Sequence, residues 1–255
     1  MLPGGYERLL LPHAVAVART DIVQPLRRSL LKGDGSARTL YDYAARHSGA
    51  RRLRGRGAAY AVPLPDTDVR VVVRHNRHGG TLAFLTGDRF LAPTRAPREL
   101  HASLELAKHG IPTPEIIAYV LYPPGGLLQR SDVCSREIPG GRDLADIISL
   151  AGPAERGEAL SAAAALVARL SRAGARHADL NAMNVLVAPS ATYVLDVDRV
   201  SFGRRPESAL EDNVARLARS LRKCRDVLHA RVTEVEIGEL AISAREAFAR
   251  GRENP

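Results

Sequence analysis

From residue 177 the chain reads His177-Ala178-Asp179-Leu180-Asn181-Ala182-Met183-Asn184, and after a short apolar strand, a turn and a second strand it reaches Asp196-Val197-Asp198. Two spacings follow: five residues from Asp179 to Asn184 and twelve from Asn184 to Asp196. A lone His-x-Asp says little, because Asp and Asn are common caps and turn residues. Together the three side chains offer a carboxylate able to take a hydroxyl proton, then an amide and a second carboxylate with oxygen donors for a hard divalent cation. Phosphoryl transfer asks for that set: an acceptor hydroxyl oriented and deprotonated, and charge neutralised across phosphate oxygens. Asp179 is therefore the candidate base, and Asn184 and Asp196 the candidate Mg²⁺ ligands. His177 is expected to be structural, bonding backbone beside this loop. Asp198 is either a metal ligand or a cap of the following turn.

The order of these parts is that of the protein-kinase fold, and the rest of the chain agrees with it. From residue 54 to 138 the pattern is β-prone and turn-rich, with strands expected at Gly57–Val62, Val69–Arg74, Glu115–Leu121 and Leu127–Ile138. One helix interrupts them, opening at Pro97 and stopping at Gly110 before Pro112 and Pro114. Beyond Gly140-Gly141 the sequence turns helical, at Leu144–Leu150, Ala154–Ala173, Ala209–Leu228 and Glu234–Arg250. The exception is Asn184–Asp196, read as a hairpin turning at Pro189-Ser190. The fold class expected is α+β and bilobal: a β-rich N-terminal lobe over residues 1–140 with one main helix, and a compact helical lobe over 141–255 that carries the catalytic loop. Residues 1–52 are expected to add a strand and two short helices to the first lobe.

That fold also calls for a glycine-rich turn, a strand cation and a helix glutamate in the first lobe. Gly55-Arg56-Gly57, ahead of a β-prone run, offers backbone amides to phosphate, although glycines more often mark plain turns. No lysine lies in any expected strand, so the cation ending Val71-Val72-Val73 is Arg74, whose fork can reach both a phosphate and a glutamate. Glu99 opens the helix, with Glu105 as its rival on the same helix. Backbone from Glu137 through Ile138 to Pro139 is the candidate adenine edge.

Read together, His177-Ala178-Asp179-Leu180-Asn181, Val194-Leu195-Asp196-Val197-Asp198-Arg199, Gly55-Arg56-Gly57, Arg74-His75-Asn76-Arg77-His78-Gly79-Gly80 and Thr94-Arg95-Ala96-Pro97-Arg98-Glu99 resemble the 3-deoxy-D-manno-octulosonic acid (Kdo) kinases of the lipopolysaccharide kinase family. The resemblance covers roughly residues 50–200. In that family an arginine followed by a basic, diglycine-ended stretch replaces the usual strand lysine, which accounts for Arg74 and selects Glu99 over Glu105. Asn76, where the family has an aromatic residue, and Met183, where it has His or another polar residue, depart from the pattern. What the resemblance implies is an ATP-dependent, Mg²⁺-requiring kinase that phosphorylates a sugar hydroxyl, that of Kdo on a lipid A precursor, at the cytoplasmic face of the inner membrane.

Composition narrows the partners. The 37 Lys and Arg against 28 Asp and Glu leave a net charge of +9, and all but Lys32, Lys108 and Lys223 of those cations are arginine. Clusters such as Arg51-Arg52-Leu53-Arg54 would favour an anionic membrane surface, unless they are simply a solvated face. Arg77, Gly79 and Gly80 are either a phosphate or acceptor loop or a plain hairpin. Nucleic acid is not an expected partner, since only 11 aromatic residues, none of them Trp, offer stacking platforms. Cys134 and Cys224 stand 90 residues apart without patterned His, which suits a reducing cytoplasm and neither a disulfide framework nor a zinc site. Only 12 residues separate Asp196 from the helix expected near Ser208, too few for a peptide-docking segment, so a small-molecule or glycolipid acceptor is favoured. The alternatives are a kinase for another sugar, such as a lipopolysaccharide heptose or an aminoglycoside, and a non-catalytic module that keeps the fold.

Overall fold

The computed structural model describes residues 2–53, 59–75, 90–91, 95–122 and 128–253. They form two compact units, Met1–Leu100 with Glu115–Glu137 and His101–Pro114 with Ile138–Pro255.

The first unit is built on an antiparallel sheet. Its elements are β1 (Tyr6–Leu11), β2 (Ala14–Arg19), α1 (Val23–Leu30), α2 (Leu40–Arg46), β3 (Arg51–Leu53), β4 (Ala59–Pro63), β5 (Arg70–His75), β6 (Phe90–Leu91), the start of α3 (Ala96–Lys108), β7 (Ile116–Tyr122) and β8 (Leu128–Arg136). Strand order is β1-β2-β7-β8-β5-β4-β3, with β6 also on β8. Residues 1–52 differ from the expectation of one strand. The apolar run Leu9–Ala18 is interrupted by Pro12-His13 and folds back on itself, so that Leu11 faces Ala14 and a hairpin results. β2 is buried against β7, while β1 exposes Glu7 and Arg8, charges that discourage edge-to-edge pairing. Leu26, Leu30, Leu40, Tyr43 and Ala44 of the two short helices share one apolar cluster with Val62, Val71, Val73, Ile117 and Val120 of the sheet.

The second unit holds the rest of α3, β9 (Arg142–Asp143), α4 (Leu144–Leu150), α5 (Pro153–Arg172), β10 (Arg176–His177), β11 (Val185–Val187), β12 (Thr192–Val194), β13 (Val200–Ser201), α6 (Pro206–Leu228) and α7 (Glu234–Glu253). Pro at the start of α5 and α6 lacks the N–H that a first turn leaves unpaired anyway. The alanine-rich face of α5 lets α6 and α7 pack closely, and Ala163, Ala164, Val167, Leu170, Leu217, Leu221, Ile237 and Leu240 form one core. Residues 101–114 belong to this unit rather than to the first 140 residues, because Ala102, Leu106 and Ile111 enter that core and the Val194 N–H bonds the Pro112 carbonyl at 3.0 Å.

Two helix ends are closed by glycines in left-handed backbone. After α3, Gly110 at φ 63° lets Ile111 N–H reach Leu106 O at 2.9 Å. After α5, Gly174 at φ 63° lets Ala175 N–H reach Leu170 O at 3.0 Å, and a Cβ there would sit 2.6 Å from the Arg204 carbonyl. Gly174 thus turns the chain directly into β10 and the loop that follows it.

Candidate active site

In the second unit the residues from 176 to 201 are tied to one another through backbone groups. β10 pairs with β13, His177 opposite Val200, and the Ala178 N–H bonds Arg199 O at 2.9 Å. The Asn184 amide donates to the Asp179 carbonyl at 2.8 Å, joined there by the Asn181 amide at 2.9 Å. Across the β11–β12 hairpin, Leu195 N–H bonds Asn184 O at 2.9 Å. These bonds bring Asp179, Asn184 and the residue preceding Asp196 into one constellation.

His177 locks it. Its ring is fully buried, with Nδ1 accepting from Asp179 N–H at 3.1 Å and Nε2 at 2.9 Å from Leu195 O. Nδ1 as acceptor leaves Nε2 as the protonated nitrogen, so the neutral ring bridges the residue before Asp196 to the backbone of Asp179. Burial pushes the His177 pKa below its ordinary value, against the opposing pull of the Leu195 carbonyl and of Asp196 and Asp179.

The Asp179 side chain is exposed and makes no hydrogen bond or ion pair with the described residues, which leaves its carboxylate available to an acceptor hydroxyl. Asp196 adopts left-handed backbone at φ 58°, ψ 43° and starts the turn Val197–Arg199. A non-glycine residue in that region carries strain of the kind found at functional sites. The Asn184 Nδ2 is held by the Asp179 carbonyl, so the oxygen of that amide is its remaining donor; with the Asp196 carboxylate it makes an oxygen set of the kind a hard cation takes. Mg²⁺ commonly takes only one or two protein ligands and completes its shell with phosphate and water. No group of three or more His, Cys, Asp or Glu that could hold a metal occurs among the described residues. Asp198 is mostly buried, 3.9 Å from Arg199 Nε.

Sequence reasoning missed the support beneath this loop. Asn213, Arg216 and Ser220 lie on one face of α6 at the spacing of neighbouring helical turns. The fully buried Asn213 accepts from His177 N–H at 3.0 Å and donates to Ser171 Oγ at 3.1 Å and Ala175 O at 2.9 Å. Arg216 donates to Ala178 O at 2.5 Å, and Ser220 Oγ accepts from Ala182 N–H at 3.0 Å. The available signal was three polar residues at helical spacing among the apolar Ala209, Val214, Leu217 and Leu221.

In the first unit, Arg74 of β5 forms an ion pair with Glu99 of α3. The Glu99 carboxylate is buried and the Arg74 side chain is 30% exposed. Glu105, the rival, instead pairs along its own helix with Lys108 at 2.8 Å. Glu137 sits at the end of β8, where its carboxylate binds Arg51 at 2.6 Å and Arg70 at 2.7 Å and its N–H bonds Arg70 O at 3.0 Å. Desolvation raises the Glu137 pKa, but the hydrogen bonds from Arg70 and Arg51 outweigh it and hold the carboxyl below the usual range. In the second unit, Ile138 O accepts from Gly141 N–H at 3.4 Å. Gly55, Arg56, Gly57 and the stretch Asn76–Gly80 lie outside the described residues.

No helix among the described residues is long and apolar enough to cross a membrane. The segment from Asp196 to the next helix is shorter than expected, residues 197–205, because α6 begins at Pro206 rather than near Ser208.

A model of the lipopolysaccharide kinase (Kdo/WaaP) family matches residues 44–241. Among similar proteins, a 3-deoxy-D-manno-octulosonic acid kinase of Xanthomonas oryzae pv. oryzae is 36% identical over 176 residues, covering 67% of this chain and 68% of its own length. One of Stenotrophomonas maltophilia is 36% identical over 177 residues, with the same coverage. The structure of WaaP in complex with acyl carrier protein matches at a TM-score of 0.50 and 18% identity, covering 89% of this chain and 87% of that one, which establishes the kinase-like fold. With the fold, the constellation around Asp179 and these relatives in agreement, the chain belongs to the lipopolysaccharide kinase (Kdo/WaaP) family and is a phosphotransferase acting on a hydroxyl, a sugar kinase of lipopolysaccharide biosynthesis.

Proposed function

We propose that this kinase uses Mg²⁺-ATP to phosphorylate the Kdo residue of a lipid A precursor. The observation that carries the reading is the exposed, unengaged carboxylate of Asp179, held by its backbone to Asn184 and, through His177, to the residue before Asp196. In this reading the Asp179 carboxylate accepts the proton of the sugar hydroxyl. The oxygen bonds to the γ-phosphorus, and the bond to the β,γ-bridging oxygen breaks to release ADP. Asn184 and Asp196 hold Mg²⁺, which supplies charge neutralisation at the phosphate oxygens. Arg74, steadied by Glu99, contacts phosphate oxygens, and Gly55-Arg56-Gly57 contributes backbone amides. At the adenine edge the Glu137 carbonyl and Ile138 N–H are the groups left without a backbone partner among the described residues. The nine-residue span 197–205 supports a small or lipid-borne acceptor over a protein.

We further place the enzyme at the cytoplasmic face of the inner membrane, where such an acceptor is made. The test is phosphate transfer from labelled Mg²⁺-ATP to a Kdo-bearing lipid A precursor and to the same lipid without Kdo. Transfer confined to the Kdo-bearing lipid is expected. Equal transfer to both would overturn the acceptor assignment, and ATP bound without transfer to either would move the acceptor to another sugar.

A further inference from the structure

Residues 32–46 have no role in the chemistry just described, yet they surround a cavity of about 240 Å³ lined by Lys32, Ala37, Arg38, Asp42 and Arg46. Its cations divide into two kinds. Arg38 is fixed: its Nε donates to Ser29 O at 2.7 Å, an Nη to Arg28 O at 3.3 Å, and its guanidinium lies 4.8 Å from the centre of the buried Tyr43 ring. Lys32 and Arg46 are exposed, and neither side chain has an ion-pair or hydrogen-bond partner among the described residues. The acid in the cavity, Asp42, has one oxygen on the Thr39 hydroxyl at 2.8 Å, in the cap that starts α2. Asp34, in the neighbouring turn, is turned to Ser36 N–H at 2.8 Å.

Three cations around one partly engaged carboxylate leave an excess of positive charge inside a concave surface. A preordered guanidinium beside two exposed cations is an arrangement suited to an anion with several oxygens, because less freedom is lost at the fixed cation on binding. The volume exceeds that of a few water molecules at about 30 Å³ each, so a phosphate group with part of its solvent fits. The basic cluster legible in the sequence serves less well, since Arg51 is engaged by Glu137.

We propose that this pocket binds an anionic phosphate group, carried by a lipid headgroup or free in solution. Lys32 and Arg46 close on the phosphate oxygens while Arg38 forms the fixed wall. None of the residues that line it is among those assigned to phosphotransfer, and the proposal does not depend on the identity of the sugar acceptor.

The test compares the wild type with Lys32→Ala/Arg46→Ala and with a control of equal charge change on exposed residues of the second unit, Arg219→Ala/Arg231→Ala. Each is measured against vesicles of phosphatidylcholine mixed with phosphatidic acid, against vesicles in which oleate replaces the phosphatidic acid at equal charge, and by calorimetry against inorganic phosphate. Both pairs lie on the surface, so all three proteins are expected to fold. A loss of roughly tenfold to thirtyfold on phosphatidic acid vesicles in the pocket variant, much smaller in the control, is expected if a headgroup is the ligand. Heat of inorganic phosphate binding that the pocket variant loses, without a vesicle effect, supports the free anion instead. Equal losses in both variants, equal wild-type affinity for oleate vesicles with no phosphate heat, or no loss at all would overturn the proposal.

Discussion

The loop carrying Asp179 and the pair Arg74–Glu99 are two solutions to the same problem, the placement of a charged side chain. In the second unit Asp179 is positioned entirely through backbone: His177, Asn181, Asn184, Arg199 and, behind them, three residues of α6 hold the peptide groups around it while its carboxylate stays unbound. In the first unit Arg74 and Glu99 engage each other directly, side chain to side chain, linking β5 to α3. In the role proposed for Asp179, a base must be free to take a proton, which suits supports that lie in the main chain. In the role proposed for Arg74, a phosphate-binding cation only has to be aimed, and a carboxylate partner can do that with the charged groups themselves.

The comparison predicts that damage to the backbone supports costs more than damage to the ion pair. Asn213→Ala leaves His177 N–H and Ala175 O without this partner in a fully buried site, while the Ser171 hydroxyl keeps its bond to Val167 O, and about 3–5 kcal/mol of stability should be lost in a denaturant titration. A smaller effect would mean that the loop is held elsewhere. Glu99→Gln should cost less, about 1–3 kcal/mol, because the Arg74 side chain is 30% exposed and water can take over part of the interaction. It should chiefly raise the KM for nucleotide, whereas Glu105→Gln should leave that constant alone. If the two variants behave alike, Glu99 has no special part in nucleotide binding.

A third prediction concerns pH. The His177 pKa is depressed in the folded protein, so the unfolded chain binds a proton that the folded one resists. Stability is therefore complete above the ordinary histidine value of about 6.5 and falls as pH drops below it, by at most about 1.4 kcal/mol per pH unit, until the folded pKa is reached. Comparing unfolding midpoints of the wild type and His177→Gln across that window checks this, and identical slopes would remove His177 from the account. The smallest effect is expected at Glu234, which bonds Arg222 and Arg225 at 2.6 Å each and whose pKa is lowered to about 2, first by Arg222 and then by Arg225. This cluster lies on the surface, where ion pairs contribute little. Glu234→Gln should leave kinetics unchanged and barely move the melting temperature.

What was legible in the sequence was what local chemistry decides. Leu144–Leu150 is helical over the range expected, Gly110 ends α3, and the Val185–Val194 hairpin falls between Asn184 and Asp196, whereas α6 begins at Pro206, ahead of the start expected near Ser208. These follow from capping, periodicity and turn residues a few positions apart. The boundary within α3 was not legible, because it depends on Ala102 and Leu106 packing with residues far along the chain. The second strand of the opening hairpin was hidden in a run whose apolar content did not reveal its reversal. Of the site, the Asp179, Asn184 and Asp196 spacing was legible because one loop and one hairpin generate it. Asn213, 36 residues beyond His177, left only the polar spacing it shares with Arg216 and Ser220 on α6, which marks a face of the helix but not the loop that it holds.

The measurement that bears most directly on the central claim is the nucleotide affinity of Asp179→Ala together with its turnover on a Kdo-bearing lipid A precursor. If Asp179 serves as the base, nucleotide affinity stays at the wild-type value while turnover falls by about 10² to 10⁴. Wild-type turnover in that variant would contradict it.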